Sequence, residues 1–340
     1  MRPELIIHSA GPGVSVQDLG RPGQISIGLS RGGAADRRAL FEAAALLGQP
    51  APLAALEMAG MGGSFEVTTP TRIALTGAPM EARLDGAALA WHASHLLQPG
   101  QRLTISGVRA GSYGYLSVAG GLRTEPVMGS RSTHLVAGLG AALESGMTLP
   151  LGEDPAPDRP ARSLPVADRF SGGTLRYIHG PQTGYFSGET VARFDSAKLI
   201  RSATGNRQGV KLETETGPFP PELSGGLASD FIQEGDIQMT GAGLPFVLLC
   251  ECQTIGGYPR IGTVLPCDLP RIAQAPPGAL LRFQAVDLAE ADQIMRSDAR
   301  EIDALAGQTT HLIRDPRLMH DLLSYQLISG VTAGRELEEE

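Results

Sequence analysis

Lysine, cysteine and aromatic residues are all scarce in this sequence. Of its 340 residues, 28 are lysine or arginine, yet only Lys198 and Lys211 are lysines, and 5% of the residues are aromatic. A Walker-A phosphate loop requires a lysine directly after a glycine-rich stretch, and neither lysine stands in that context. The sequence therefore excludes a phosphate loop of that type.

The cysteines do not suggest a metal site. They lie at positions 250, 252 and 267, an odd number without the paired spacing of a zinc centre. The H-E-x-x-H motif is also missing, so the sequence predicts no metal ligands. Cys250 and Cys252 end the apolar run 244–249, which predicts two thiols half-buried on a strand.

Long apolar runs and basic clusters are missing as well. No segment approaches the ~18 apolar residues that a membrane-spanning helix needs, and the apolar stretch near Met1 is too short for a secretory signal. Acidic residues number 36 against 28 basic ones, for a net charge of −8. These features predict a cytoplasmic protein whose partners include neither nucleic acid nor membrane.

Glycine and proline are plentiful instead, at 44 and 25 residues. Such frequent turn residues are typical of a β-rich protein. Five prolines fall within 150–165 and predict a linker at 151–165. It would separate an N-terminal β-rich domain, 1–150, from a C-terminal β-barrel domain, 166–310, and residues 311–340 would form a tail with an acidic end.

Apolar periodicity predicts two helices among many short strands. One helix covers 36–47, with Asp36 as its cap and Gly48 after its last residue. The other covers 288–306 and is capped by Asp287. The strands are predicted at 4–8, 64–67, 72–76, 101–106, 113–118, 175–179, 209–212, 237–239, 246–249, 262–265 and 280–283. This pattern favours barrels or sandwiches over an alternating α/β sheet.

Polar residues set among glycines are the candidate functional residues. The first group is Gln17, Asp18 and Arg21, which fall within eight residues. Arg21 could bind a carboxylate or a developing oxyanion with two hydrogen bonds, and Asp18 could orient it. The same two side chains could instead pair to hold a tight turn.

Two further groups of residues can likewise be interpreted either as ligand-binding or as structural. Arg131 and Ser132 follow Gly129 and could form an anion-binding nest or a capped turn. The stretch 253–259 presents the amide of Gln253, the hydroxyl of Thr254 and two glycines. It could recognise a planar amide or ureido group, or it could be a long hairpin.

Six stretches in a fixed order cover most of the chain between residues 11 and 283. They are GVSVQDLGRPG, SRGGAADRRALFEAAALLG, LEMAGMGGSFEV, SYGYLSVAGGLRTEPVMGSRST, GNRQGVKLE and IQMTGAGLPFVLLCECQTIGGYPRIGTV. With them the chain resembles the biotin-dependent carboxyltransferase or allophanate hydrolase subunit 2 family. The resemblance implies a mainly β fold, with two β-rich domains, cyclophilin-like barrels and a few helices. It also implies a dedicated partner, a homologue of the protein known as subunit 1 or, in 5-oxoprolinases, as the B subunit.

Three functions are compatible with the resemblance. The first is one component of an ATP-dependent 5-oxoprolinase, a hydrolase in which the B and C subunits act with the A subunit to open 5-oxoproline to glutamate. The second is one half of a biotin-dependent carboxyltransferase that moves carboxylate from N-carboxybiotin to urea. The third is a non-catalytic regulator that binds its subunit 1 homologue. We rank the 5-oxoprolinase component first, and a small amide or lactam is then the expected substrate.

Both substrates contain a planar N–C=O group whose oxygen gains negative charge, so hydrogen-bond donors suit either reaction. Catalytic roles are accordingly expected for Arg21, Asp18 and Gln253. Substrate contacts are expected from Gln17, Arg131, Ser132, Asn206, Arg207, Thr254, Gly256, Gly257 and Tyr258.

The chain departs from the family pattern at the last of these stretches. Relatives commonly have Asp-Gln-Thr-Thr-Gly-Gly-Tyr, whereas this chain has Cys252 for the Asp and Ile255 for the second Thr. Two polar groups are thereby lost near the expected site, which leaves the identity of the substrate open.

Overall fold

A computed structural model of the chain describes residues 3–223 and 227–313. Up to residue 150 the described chain consists of short strands with one α-helix and one 3-10 turn, Ile25–Ile27. These elements are β1 (Glu4–Ala10), β2 (Ser15–Gln17), α1 (Arg37–Leu47), β3 (Ala55–Ala59), β4 (Met61–Val67), β5 (Thr71–Gly77), β6 (Met80–Leu84), β7 (Ala87–Ala88), β8 (Ala93–Leu97), β9 (Leu103–Val108), β10 (Tyr113–Val118) and β11 (Thr148–Pro150).

After residue 150 the described chain contains further strands and three α-helices, with a second 3-10 turn at Thr183–Tyr185. They are β12 (Arg162–Ser163), β13 (Gly173–Ile178), α2 (Gly188–Ser196), β14 (Leu199–Asn206), β15 (Gly209–Glu213), β16 (Asp230–Phe231), β17 (Asp236–Met239), β18 (Pro245–Leu248), β19 (Ile255–Gly256), β20 (Arg260–Val264), α3 (Leu269–Gln274), β21 (Leu280–Ala285), α4 (Leu288–Gln308) and β22 (Thr310–His311).

The N-terminal strands form two sheets that pack face to face. Their orders are β11-β1-β4-β9-β6-β7 and β2-β3-β10-β5-β8-β12-β22. Alternate side chains of each strand point into the space between the sheets, as the two-residue period of a strand requires. Leu5 and Phe65 of one sheet and Leu56, Leu75 and Leu116 of the other are fully buried in this core.

The C-terminal strands close a seven-stranded barrel in the order β13-β20-β17-β18-β15-β14-β21. Its interior holds an aromatic cluster in which the ring centroid of Phe194 lies 5.3 Å from that of Phe219, 4.9 Å from that of Phe283 and 5.8 Å from that of Tyr177. The expectation of a mainly β fold with a barrel is confirmed.

Both predicted helices are present. The Asp36 carboxylate accepts from the Ala39 backbone N–H at the start of α1, and Gly48 ends it at a φ of +69°, which favours glycine. Helix α4 begins after Asp287 as expected and runs to Gln308, two residues beyond its predicted end. None of the helices in the described residues is long and apolar enough to cross a membrane.

The proline-rich segment is tied to the N-terminal half. Asp154 forms a 2.5 Å ion pair with Arg72, and β12 pairs with β8 and with β22. Strand β22, which follows α4, thus returns to the N-terminal sheet. The predicted domain boundaries remain a prediction, and nearly all of the acidic tail, residues 314–340, lies outside the described residues.

Candidate functional site

Two pockets lie on either side of residues 252–254. We call the first the arginine pocket. It has a volume of 250 Å³ and is lined by Arg21–Ile25, Leu29–Arg31, Ile232–Glu234, Cys252 and Thr254. We call the second the amide pocket. It has a volume of 310 Å³ and is lined by Thr204, Gly205, Asn206, Gln208, Gly209, Gln238, Thr240, Phe246, Leu248, Gln253 and Tyr258.

The structure separates Arg21 from Asp18. The guanidinium of Arg21 donates to the backbone carbonyls of Val127, Ser130 and Ser132, at 2.9, 3.3 and 2.5 Å. It is 3% exposed, and its Nη1 has no hydrogen-bond partner among the described residues. Burial lowers the pKa of this guanidinium. No ion pair within 4 Å joins Arg21 to Asp18 among the described residues, so the expectation that the two pair to hold a turn is wrong, while an orienting role of Asp18 stays a prediction.

Asp18 occupies the nest that was expected to bind a substrate anion. Its carboxylate accepts from the hydroxyls of Ser130 and Ser132 at 2.5 Å each, and from the backbone N–H of Arg131 and Gly20 at 2.7 and 2.8 Å. Burial alone would raise the pKa of Asp18, but these hydrogen bonds outweigh it and lower the pKa. Asp18 thus fills this nest itself, and the roles expected for Asp18 in catalysis and for Arg131 and Ser132 in substrate binding stay predictions.

Ser30 and His134 add a polar contact beside Arg21. The Ser30 hydroxyl lies 2.9 Å from His134 Nε2, and both residues are buried. The backbone N–H of Ala137 donates to Nδ1 of the same ring at 3.3 Å, which assigns the ring proton to Nε2. Burial lowers the pKa of His134, so the imidazole is neutral. His134 thus donates to Ser30 and is not placed to remove its proton.

The amide pocket collects three of the predicted residues, Asn206, Gln253 and Tyr258. It lies on the outer face of β15, β17 and β18, because the neighbouring side chains of these strands point into the barrel. Gln238 is 7% exposed there, and its Nε2 has no partner among the described residues. The lining has no charged side chain, so it suits a neutral planar amide better than an ion.

Gly256 and Gly257 differ in their surroundings. Neither has a positive φ. A Cβ on Gly256 would lie 2.9 Å from both Gln238 Nε2 and Ile232 Cδ1, whereas one on Gly257 would meet nothing closer than 3.5 Å. Gly256 is therefore needed for a close approach, and neither glycine is needed for a positive φ.

Arg207 makes internal contacts with all three of its guanidinium nitrogens, and its expected role in substrate binding stays a prediction. Its Nε lies 2.7 Å from Glu251, its Nη1 contacts Glu57, and its Nη2 donates to the Gly33 carbonyl at 2.6 Å. Both carboxylates are almost completely buried. Gln17 is also buried away from the pockets, where its amide donates to the Thr133 carbonyl at 3.1 Å.

The thiols lie in the turn after β18 and not on a strand. Burial raises the pKa of Cys250 and of Cys252 to about 12. Both are therefore protonated at neutral pH and are poor nucleophiles.

A further cavity beside α4, of 510 Å³, is lined by side chains that pair with one another. Arg38 lies 2.7 Å from Asp298, and Arg176 lies 2.6 Å from Asp268. None of the predicted site residues lines it, so the two pockets flanking residues 252–254 are the better candidates.

Sequence reasoning missed Ser30, Arg31, His134 and Gln238. Ser30 and Arg31 begin one of the six ordered stretches, which was their only signal. His134 lies 104 positions from Ser30, and no spacing rule connects residues so far apart.

The comparisons with known proteins agree on one family. Residues 27–285 match the family model described as carboxyltransferase domain, subdomain A and B. The chain is 35% identical over 307 residues to the C subunit of 5-oxoprolinase from Escherichia coli (strain K12), covering 89% of this chain and 97% of that protein.

Proteins named for urea chemistry are similar too, but they are much longer. A putative urea carboxylase of Emericella nidulans is 28% identical over 83% of this chain and 24% of its own length. The crystal structure of the Kluyveromyces lactis urea carboxylase has the same fold, with a TM-score of 0.80 at 24% identity, over 93% of this chain and 31% of that chain.

Proposed function

Because this chain belongs to the carboxyltransferase domain family, subdomain A and B, we propose that it is the C subunit of a 5-oxoprolinase. The observation that carries the proposal is the similarity to the Escherichia coli C subunit, which extends over 97% of that relative. By contrast, this chain covers only 24% of the length of the putative urea carboxylase. Opening of the lactam 5-oxoproline to glutamate, coupled to ATP, is then the reaction of the whole complex.

We assign recognition of the lactam N–C=O group to the amide pocket. The unpartnered Nε2 of Gln238 and the amide of Gln253 offer donors to the carbonyl oxygen, which gains negative charge when it is attacked. Gln253 also offers an acceptor to the ring N–H. The apolar side chains of Phe246 and Leu248 cover the rest of a small ring.

ATP is assigned to a partner protein. Neither lysine of this chain lines either pocket, and Lys211 lies 3.7 Å from Glu213 on the barrel. Homologues of the B subunit and of the A subunit would supply the nucleotide site and complete the enzyme.

An exposed apolar group beside the pockets supports a partner there. Phe231 and Ile255 are cross-strand neighbours of β16 and β19, and each is 56% exposed. Tyr258, at 52%, borders the amide pocket. Exposed apolar side chains grouped around a site are typical of a protein interface. We assign this group to the contact with the B-subunit homologue.

The test is co-expression of the chain with homologues of the A and B subunits. We expect co-elution in size exclusion, and ATP-dependent conversion of 5-oxoproline to glutamate. Phe231→Glu should weaken co-elution, whereas Leu96→Glu, at a residue 49% exposed on the distant strand β8, should not. Turnover of urea in place of 5-oxoproline would contradict the assignment.

The carboxyltransferase alternative is favoured by one observation, the neutral lining of the amide pocket. A ureido ring such as that of biotin presents the same N–C=O edge, so Gln238 and Gln253 would suit it equally. In that case the biotin ring would be held by these side chains and would supply the carboxylate. Urea carboxylation by the complex with carboxybiotin, and no activity on 5-oxoproline, would establish this alternative.

A further inference from the structure

The arginine pocket holds more positive charge than its surroundings balance. Arg21 and Arg31 both line it, and neither has a carboxylate within 4 Å in the described part of the chain. The acid that does line it, Glu234, lies 2.7 Å from Arg37 and pairs with it. Asp18 and Glu234 offset part of this charge without forming an ion pair to Arg21 or Arg31, and an anion bound between the pocket walls would stabilise the guanidiniums further.

The hydrogen-bond donors of the pocket are also left incomplete. Arg21 is 97% buried, since its exposure is 3%, and its Nη1 lacks a partner among the described residues. Arg31 uses its Nε on the Leu19 carbonyl at 2.9 Å, which leaves the terminal nitrogens of that guanidinium for a ligand.

Ser30 supplies a further donor. His134 Nε2–H occupies one lone pair of the Ser30 oxygen at 2.9 Å, so the hydroxyl hydrogen of Ser30 is available to the pocket. A donor hydroxyl that lines the same pocket as two guanidiniums is complementary to oxygen atoms that only accept.

We propose that the arginine pocket is a binding site for a small oxyanion, a carboxylate or phosphate group, held by Arg21, Ser30 and Arg31. The site is distinct from the amide pocket, from which residues 252–254 separate it, and its lining is charged where that of the amide pocket is neutral. The anion would therefore occupy a pocket other than the one assigned to the N–C=O group.

The test is titration of the purified full chain, by calorimetry and by thermal shift, with three probes. Inorganic phosphate represents the phosphate source, 5-oxoproline the carboxylate source, and 2-pyrrolidinone is the neutral lactam without a carboxylate. We expect phosphate or 5-oxoproline to bind saturably and to raise the melting temperature. Because 5-oxoproline can also enter the amide pocket through its lactam, the source of the oxyanion is the probe whose binding is weakened by the Arg31 and Ser30 variants.

Variants then assign the site. Arg31→Gln and Ser30→Ala should weaken binding of the anionic probe at least tenfold, while binding of 2-pyrrolidinone, if present, is unchanged. Arg31→Lys, which keeps the charge, should recover part of the affinity. Arg83→Gln is the matched control, because Arg83 is exposed and far from the pocket. Arg21 is left unchanged, since it holds three carbonyls.

The proposal is overturned if neither anion binds the wild-type chain, or if Arg31→Gln binds the anion as the wild type does. These results concern binding to the isolated chain. They are distinguishable from failure of the 5-oxoprolinase function, which is measured by turnover in the complex.

Discussion

At the scale of single residues, hydrogen-bond partners decide which charged side chains are available to a ligand. The Asp18 carboxylate accepts from four donors of its own chain, whereas the Arg21 guanidinium keeps one nitrogen without a partner among the described residues. Two side chains three positions apart in the sequence thus have opposite roles. The Asp18 carboxylate itself fills the anion nest, whereas the Arg21 guanidinium beside it keeps an unused hydrogen-bond donor among the described residues.

Asp18→Asn should destabilise the protein in a pH-dependent way. An amide cannot accept all four hydrogen bonds, so we expect a loss of about 1–3 kcal/mol at neutral pH. The folded pKa of Asp18 is lowered, so its contribution is present above the unfolded pKa of ~3.9 and is lost as the pH falls through the folded pKa. The stability difference from wild type should therefore shrink below about pH 4.

Urea unfolding from neutral pH down to about pH 3 measures that difference. Asp292→Asn is the control, because Asp292 is exposed on α4 with a 3.7 Å ion pair to Arg296. A difference that stays constant over this range would show that Asp18 does not have a lowered pKa.

Gln253→Ala should reduce the activity of the assembled complex without unfolding the chain. Gln253 is an exposed residue that lines the amide pocket, so its side chain contributes little to the core. Loss of one polar contact to the substrate costs about 1–3 kcal/mol, which is roughly 5- to 150-fold in kcat/KM. Steady-state kinetics with 5-oxoproline measures the effect, and Gln98→Ala, at an exposed position after β8, is the control. An unchanged kcat/KM in the Gln253→Ala variant would show that Gln253 does not contact the substrate.

At the scale of elements, the pair β16 and β19 lies against Gln238, a residue that lines the amide pocket. Gly256 of β19 approaches Gln238 of the barrel strand β17 closely, and this contact places the unpartnered Gln238 amide at the pocket. This position needs glycine because a side chain would be too close to its neighbours, and not because its φ is unusual.

Gly256→Ala should therefore lower activity more than Gly257→Ala does. The new Cβ would meet two side-chain ends at 2.9 Å, which can move, so folding should survive while the Gln238 amide is displaced. We expect a cost of about 1 kcal/mol in transition-state binding. The melting temperatures and kcat/KM of both variants in the complex are to be compared. Equal activity of the two variants would contradict this account of the pocket.

At the scale of the whole molecule, buried ion pairs join the two halves. Arg207, before β15 of the barrel, contacts Glu57 of β3 in the N-terminal sheet. Arg169 lies 2.7 Å from Asp36 at the start of α1 and 2.8 Å from Glu42 within it. Because such pairs are satisfied only when both halves are in place, the halves depend on each other.

Arg207→Gln should destabilise the protein strongly. It leaves Glu57 and Glu251 buried without their cation, which typically costs about 3–5 kcal/mol. Urea unfolding monitored by circular dichroism measures the loss, with Arg282→Gln, at an exposed position of β21, as the control. If both variants had the same urea midpoint of unfolding but Arg207→Gln lost substrate affinity in the complex, the result would support the substrate-binding role of Arg207.

The sequence by itself determined the two longest helices, many of the strands and the family, but not the shorter helices α2 and α3. Helix α1, between Asp36 and Gly48, and helix α4, after Asp287, could be predicted because caps and apolar periods act over a few residues. The mainly β fold followed from the strand period and the turn residues. Strands such as β8 (Ala93–Leu97) were missed, because their burial does not alternate regularly.

Only the tertiary structure decided which polar residues face a pocket. Gln253 and Arg207 were both site candidates in the sequence, yet one lines the amide pocket and the other is enclosed by Glu57 and Glu251. Likewise Ser30 meets His134 across 104 positions. Such contacts depend on how the sheets and the barrel pack, and that packing brings together residues whose distance along the chain carries no signal.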